Sequence, residues 1–206
     1  MIPATERSAK IDDRYFARSV HEVARDLIGA GLFHEGRGGT IVETESYERD
    51  DPACHAFVGL TPRTETLFGP PGRAYVYLSY GIHSLLNFVS EPEGEAAAVL
   101  IRALEPTAGI EEMRERRHGR PDRELCAGPG RLTEALGVGL DANGADLGAD
   151  PFRLAPRPPG WKGEIVAGPR VGITKAVERP WRFSLAGSPY VSKPSPDAGA
   201  RARDRR

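Results

Sequence analysis

The stretch Gly39-Thr40-Ile41-Val42-Glu43-Thr44-Glu45-Ser46-Tyr47 decides the fold class of this chain. Its alternation predicts a strand, in which residues two apart point to the same face. One face then carries Ile41, Glu43, Glu45 and Tyr47. Strands usually avoid glutamate, because a half-buried carboxylate costs free energy unless it has a partner. Two glutamates beside a tyrosine, with His55 shortly after them, therefore indicate a functional site.

Turn signals and apolar runs on both sides of this stretch predict further strands and a few helices. Ser19 and Glu22 form a capping-box pattern, which predicts a helix start. The predicted helices cover 19–28, 109–117 and 128–136, and the predicted strands cover 30–33, 40–47, 74–80, 82–89, 98–104, 152–155, 171–174 and 182–186. Residues 48–72 show no regular pattern, and a loop of that length is uncommon unless it is functional.

A second aromatic cluster, Tyr75-Val76-Tyr77-Leu78-Ser79-Tyr80-Gly81, ends at a predicted hairpin turn. Tyr75 and Tyr77 share one face of their strand, whereas Tyr80 lies at the tip beside the turn glycine. A ring in that place either folds back onto the sheet, which is more common, or enters a base stack of DNA as a wedge.

The charged candidates each have two interpretations. Glu45 is either a general base for water or half of an ion pair, and the same holds for Glu43. Arg102 lies on the predicted face of Leu100 and Leu104, where a charge needs a partner. Residues 128–131, Gly-Pro-Gly-Arg, either offer helix N-terminal amides to an anion or simply begin a helix.

The bulk properties favour one domain with a substantial core, since the chain has 206 residues of which 39% are hydrophobic, with a net charge of −1. We assign residues 12–193 to this domain, 1–11 to a flexible arm and 194–206 to a disordered basic tail. The sequence has no apolar run of membrane-spanning length and no secretion signal, so we expect a cytoplasmic protein with reduced cysteines. It has no Cys-x-x-Cys pair, and we expect no metal and no cofactor.

Several motifs occur in an informative order, namely IVETESY (41–47), AYVYLSYG (74–81) followed by Asn87, VLIRALEP (99–106), DRELCAGPGRL (122–132), and a late segment with RVGITKA, RPWRF and GSPYVS. Together they resemble the alkyladenine (3-methyladenine) DNA glycosylase family in its bacterial form. The resemblance implies an α+β fold, with a single compact domain, a curved antiparallel β-sheet, surrounding helices and a protruding β-hairpin. His83 and Ser84 depart from the aromatics of some members, which leaves the lesion preference open.

The resemblance also implies roles for individual residues. Glu45 is similar to the family's general base, which positions and deprotonates water. The residues that resemble the stacking pocket for a flipped base are Tyr47, His55 and Tyr77.

Four further positions match the family's motifs. Tyr80 resembles the side chain that fills the gap left in the duplex by the flipped base. Asn87 resembles the residue that disfavours the exocyclic amine of guanine. Leu100 and Arg102 match positions that line the pocket and the active-site strand.

The implied function is that of a monofunctional DNA glycosylase in base excision repair. Such an enzyme flips out alkylated or deaminated purines, here 3-methyladenine with hypoxanthine and ethenoadenine as further candidates, and hydrolyses the N-glycosidic bond. The matched pocket motifs contain no lysine for a Schiff base, so we expect an abasic site as product. The expected partner is double-stranded DNA containing damaged purines; we expect no membrane contact and a monomer.

Two other classes of function stay open on the residues alone. In a sugar glycosidase, Glu43 and Glu45 with Cα atoms about 6.6 Å apart would approach the span of an inverting carboxylate pair. However, Trp161 and Trp181, the aromatic platforms that carbohydrate clefts usually need, lie far along the chain. A non-catalytic nucleic-acid-binding module sharing the fold is the third possibility.

Overall fold

The computed structural model describes residues 11–194. The described helices are α1 (Asp13–Phe16), α2 (Val20–Asp26), α3 (Ile110–Arg116), α4 (Asp122–Leu125) and α5 (Pro129–Leu136). The described strands are β1 (Gly31–His34), β2 (Arg37–Tyr47), β3 (Ala74–Ser79), β4 (His83–Ser90), β5 (Ala97–Ala108), β6 (Phe152–Ala155), β7 (Ile165–Gly168) and β8 (Arg182–Leu185). They form one compact α+β domain around a curved antiparallel sheet, as the resemblance implied.

Strand β2 is the centre of this sheet. One of its edges pairs with β5, while the other edge pairs with β1 at its beginning and with β8 at its end. The main strand order is β3-β4-β5-β2-β1-β6, and β7 joins through β8. Because β2 branches between β1 and β8 at its middle, residues from distant parts of the sequence meet beside Glu43 and Glu45.

A bulge in β2 and β5 changes the faces that strict alternation predicts. The register shifts between Ile41 and Glu43 and again between Glu43 and Thr44. Ile41 therefore packs in the main core, so the prediction that it shares a face with the glutamates is wrong. For the same reason Leu104 packs in the main core, whereas Leu100 and Arg102 line a cavity on the opposite face.

The sheet separates two hydrophobic clusters. The larger one contains Ala74 and Val76 of β3 together with α2 and α5, and the smaller one contains Tyr75 with Tyr77 packed against it. Residues 48–72 supply Cys54, Ala56 and Leu67 to the smaller cluster, and they contain two short 3-10 helices. This irregular segment is thus a folded wall on the second face of the sheet.

Two local predictions are wrong. Ser19 is the N-cap of α2, as predicted, but its side chain makes no cap hydrogen bond; instead Glu91 accepts a hydrogen bond from the Val20 amide at 3.0 Å. Residues 171–174 form no strand, and the late strand lies at Ile165–Gly168.

The proposed terminal segments fall mostly outside the described residues. Residues 1–10 of the predicted arm and 195–206 of the predicted tail are not described. Ile11, which we placed at the end of the arm, is only 7% exposed and packs in the main core.

Candidate active site

A cavity of about 600 Å³ opens on the second face of the sheet, a volume within the usual range for small-molecule sites. Its walls come from β2, β3, β4, β5, the 48–72 segment, the start of α5 and the loop 171–173. The lining residues that the sequence singled out are Tyr47, His55, Tyr77, Tyr80, Asn87, Leu100 and Arg102. The fold therefore brings all of these candidates to one place.

Glu45 lies directly behind the wall of this cavity, and its side chain is fully buried. Oε2 accepts hydrogen bonds from the Tyr47 hydroxyl at 2.8 Å and from Arg102 Nη1 at 3.2 Å. Oε1 accepts a hydrogen bond from the Val171 amide at 2.7 Å. All three donor residues line the cavity, so the carboxylate is one contact away from anything that binds there. Burial raises the pKa of the Glu45 carboxyl, against the opposing charge of Arg102.

Arg102 is paired with two carboxylates, as a charged residue on a buried strand face requires. Its Nε donates to Glu43 Oε1 at 3.1 Å while Nη1 donates to Glu45, so one guanidinium serves both carboxylates. Arg182 also donates to Glu43 Oε1, at 3.2 Å. Two glutamates therefore face two arginines in a buried network, which keeps the local charge balanced.

Tyr47 forms one aromatic wall of the cavity, and its orientation is fixed from behind. The Arg170 guanidinium lies 4.6 Å from the Tyr47 ring centroid and 5.0 Å from that of Trp181. Arg170 also forms a buried ion pair with Asp51, which joins the 48–72 segment to the loop that carries Val171. Burial raises the pKa of the Tyr47 hydroxyl, so the ring is neutral when it donates to Glu45.

His55 and two tyrosines form the opposite wall. The His55 ring meets that of Tyr77 edge to face at 4.4 Å between centroids, and its Nδ1 lies 3.0 Å from the Tyr75 hydroxyl. Burial and the nearby Arg63 lower the pKa of His55, which favours a neutral imidazole. Burial raises the pKa of Tyr77 to about 12. The aromatic rings themselves are uncharged and suit a flat aromatic ligand.

Asn87 and Leu100 are neighbours across β4 and β5 and lie deep in the cavity. The Asn87 side-chain amide donates to the carbonyl of Tyr75 at 3.2 Å and of Leu85 at 3.4 Å. These two bonds fix the orientation of a buried amide that is only 5% exposed. A rigid polar group beside an apolar one is suited to discriminating between ligands of similar shape.

Tyr80 lies at the tip of the protruding hairpin between β3 and β4, and it is 91% exposed. The ring therefore does not fold back onto the sheet, which was the commoner of the two predictions. Tyr80 and Gly81 have φ values of +51° and +73°, and the Ile82 amide donates to the Ser79 carbonyl at 3.2 Å. Such turns favour Asn-Gly, so a tyrosine there is both strained and hydrated.

Sequence reasoning missed two contributors to the site. Val171 acts through its backbone amide, which no side-chain pattern reveals, and the segment around it had been predicted as a strand. Ser192 donates from its hydroxyl to Glu43 Oε1 at 2.9 Å, although 149 positions separate the two in sequence.

Within residues 11–194, no three His, Cys, Asp or Glu side chains are grouped so that they could hold a metal ion. None of the helices described there is long and apolar enough to cross a membrane.

Comparison with known proteins agrees with this geometry. A family model described as methylpurine-DNA glycosylase matches residues 14–189. The chain belongs to the methylpurine-DNA glycosylase family. A protein of Rhodopseudomonas palustris (strain BisB18) is 58% identical over 194 residues, 94% of this chain and 96% of that protein. One of Rhizobium meliloti (strain 1021) is 56% identical over 182 residues, 88% of this chain and 96% of that protein. Both are provisionally named 3-methyladenine DNA glycosylase.

Membership of the methylpurine-DNA glycosylase family decides among the three classes of function that the residues left open. The chain is an enzyme, a hydrolase that acts on N-glycosidic bonds in DNA. The sugar glycosidase and the non-catalytic module are therefore set aside. In the structure the Glu43 carboxylate is held by Arg102, Arg182 and Ser192.

Proposed function

We propose that this methylpurine-DNA glycosylase removes 3-methyladenine and related damaged purines by a monofunctional mechanism in which Glu45 is the general base. The observation that carries the proposal is the buried Glu45 carboxylate, held by Arg102, Tyr47 and Val171 at the wall of an aromatic cavity. The hydrogen bonds of three cavity-lining groups hold it in one orientation. A general base that deprotonates water needs such a fixed position close to the substrate.

The chemical step is the hydrolysis of the bond between a purine nitrogen and the sugar C1′. That bond breaks with its electron pair going to the base, and a water oxygen bonds to C1′. Glu45 takes the proton from the water, and its negative charge stabilises the positive charge that develops on the sugar. An N-alkylated purine is already cationic, so it leaves as a neutral base without acid catalysis.

The cavity walls suit a flipped purine. Tyr47 and Tyr77 offer ring faces, and a cation–π contact of each ring with a cationic base would contribute about 0.5–2 kcal/mol. His55, kept neutral by burial and by Arg63, adds no positive charge that would repel it. Leu100 supplies apolar contact, and Arg102 keeps the Glu45 carboxylate oriented.

Access to the target requires base flipping, which costs a few kcal/mol and least for a damaged base. Tyr80 at the hairpin tip would occupy the vacated space, where its strained and exposed ring gains stacking partners. Asn87 would exclude guanine, because the exocyclic amine of guanine would meet its fixed amide. Neutral lesions such as hypoxanthine and ethenoadenine belong to the proposed range because the walls stack on any purine.

The product would be an abasic site without strand cleavage. No lysine is among the described residues that line the cavity, and a Schiff base with the sugar needs an amine. We further propose that the protein acts as a monomer on double-stranded DNA, in the cytoplasm of a bacterium, where the chromosome lies.

The test uses duplexes that each carry one defined lesion. After incubation with the protein, alkali cleaves the DNA at any abasic site. Strand breaks that depend on alkali are expected for alkylated purines. Breaks that form without alkali would contradict the monofunctional mechanism, and intact DNA after alkali would contradict the proposed substrates.

A further inference from the structure

The last described residues of the chain bind the network that surrounds the two glutamates. The Ser192 amide donates to Glu43 Oε2 at 2.5 Å, and its hydroxyl donates to Glu43 Oε1 at 2.9 Å. Arg182 donates to the carbonyls of Lys193 at 3.3 Å and Pro194 at 3.2 Å.

Ser192 also accounts for the remaining nitrogen of the Arg102 guanidinium. Nε donates to Glu43, Nη1 donates to Glu45, and Nη2 donates to Ser192 Oγ at 3.1 Å. A planar guanidinium with a partner on each nitrogen has one orientation. If the Ser192 hydroxyl were absent, Nη2 would lose its acceptor and Glu43 would lose a donor at the same time.

We propose that Ser192 is a positioning residue for base excision, whose hydroxyl links Glu43 to Arg102 and thereby holds Arg102 Nη1 on Glu45. This inference rests on the proposed role of Glu45 as general base. Ser192 itself touches neither the cavity nor Glu45, so its effect passes through Arg102.

The charged and polar groups around Glu45 give the effect a direction. Its own strand brings Glu43 and the Tyr47 hydroxyl, β3 brings Tyr77, β5 brings Arg102, and the loop brings Arg170 and the Val171 amide. Without the Ser192 hydroxyl, Glu43 draws more on the shared guanidinium. The Glu45 carboxylate is then less stabilised and takes up a proton at higher pH, which leaves less base for the reaction.

The experiment follows 3-methyladenine release from methylated duplex DNA under single-turnover conditions across pH. It compares Ser192→Ala with Ser192→Thr, which keeps a hydroxyl, and with Ser188→Ala. Ser188 is a matched control on the same segment, because its hydroxyl accepts only the Tyr190 amide among the described contacts. Affinity for undamaged duplex and the unfolding midpoint are measured for each variant.

Ser192→Ala should move the acidic limb of the profile up by about half to one pH unit and so lower the rate at pH values on that limb by about 3- to 10-fold. Ser192→Thr should restore the wild-type profile, Ser188→Ala should retain it, and DNA affinity should stay the same. The position of the limb does not depend on how much enzyme is folded, so a less stable variant is still informative.

A Ser192→Ala profile that superimposes on the wild type would overturn the inference. So would a rate loss of equal size at every pH with no movement of the limb. If the wild-type protein releases no base at all, both the proposed function and the inference about Ser192 are wrong. Normal release by the wild type with an unmoved limb in the variant refutes the role of Ser192 alone.

Discussion

Arg102 Nη1 lies 3.2 Å from Glu45 Oε2, and both side chains are buried, at 6% and 0% exposure. A buried pair of this kind gains little net stability, because desolvation offsets much of the attraction. Its value lies in orientation, since Arg102 fixes the carboxylate that lies behind the cavity wall. Under the proposed mechanism, base release depends on the protonation state of Glu45.

The pH dependence of base excision should report on this carboxyl. Burial raises its pKa above the ordinary value of 4.5, and only the ionised form accepts a proton from water. The rate should therefore rise with pH along an acidic limb that lies above pH 4.5. Single-turnover rates at subsaturating enzyme measure this limb for the free protein.

A variant without the Tyr47 hydroxyl tests the assignment of that limb. Tyr47→Phe removes a donor to Glu45 Oε2, so the limb should move to still higher pH. Tyr75→Phe removes a hydroxyl bonded to His55 and should leave the limb in place. If the acidic limb lies at the same pH in the wild type and in both variants, a group other than Glu45 controls the pH profile.

Tyr80→Asn should separate stability from activity. Asparagine tolerates the positive φ of this turn, so the free energy of unfolding should be unchanged or higher by up to about 1 kcal/mol. Excision of a paired lesion should fall by about 5- to 100-fold, because the stacking worth about 1–3 kcal/mol is lost. A bulged lesion, which needs less flipping, should lose less. Equal losses on paired and bulged lesions would argue against a wedge.

Asn87→Ala should relax the exclusion of guanine. The truncation removes a fixed amide beside Leu100 and leaves room for an exocyclic amine. Release of unmodified guanine should rise by about 10-fold or more while release of 3-methyladenine changes less. Asn143→Ala is the control, since that side chain bonds to Val76 and Thr66 and does not line the cavity. Guanine release at the wild-type level would refute this role for Asn87.

Binding to undamaged duplex should weaken as salt rises, although the net charge is −1. The cations that matter lie at the cavity, where exposed Arg131 lines the wall at the start of α5. Arg131→Ala should reduce the slope of log affinity against log salt by about 1. Arg120→Ala should leave it unchanged, because Arg120 pairs with Glu124 and lies outside the cavity lining. A flat salt titration of the wild type would contradict contact with phosphates.

The sequence predicted what depends on local pattern and on motif order. Alternation placed Tyr75 and Tyr77 on one face, and the motifs singled out His55 and Asn87, which line one cavity, and Glu45, which lies behind its wall. What it missed depends on contacts between distant residues. The bulge that turns Ile41 away arises from pairing with β5, and the cap on Val20 comes from Glu91.

The sequence also failed to predict the contacts of the Val171 amide and of Ser192, for the same reason. An amide hydrogen bond carries no side-chain signal, and Ser192 reaches Glu43 only because β8 pairs beside β2. The strained φ of Tyr80 was also hidden, since a Tyr-Gly turn resembles many others in sequence.

The measurement that tests the central claim most directly is single-turnover excision by Glu45→Gln. The substitution keeps the size of the side chain but removes the base, so the rate should fall by about 100-fold to 10,000-fold. Affinity for the lesion duplex, measured in parallel, should stay within about tenfold. A near-wild-type rate in Glu45→Gln would contradict the account and would make Glu43 the candidate base.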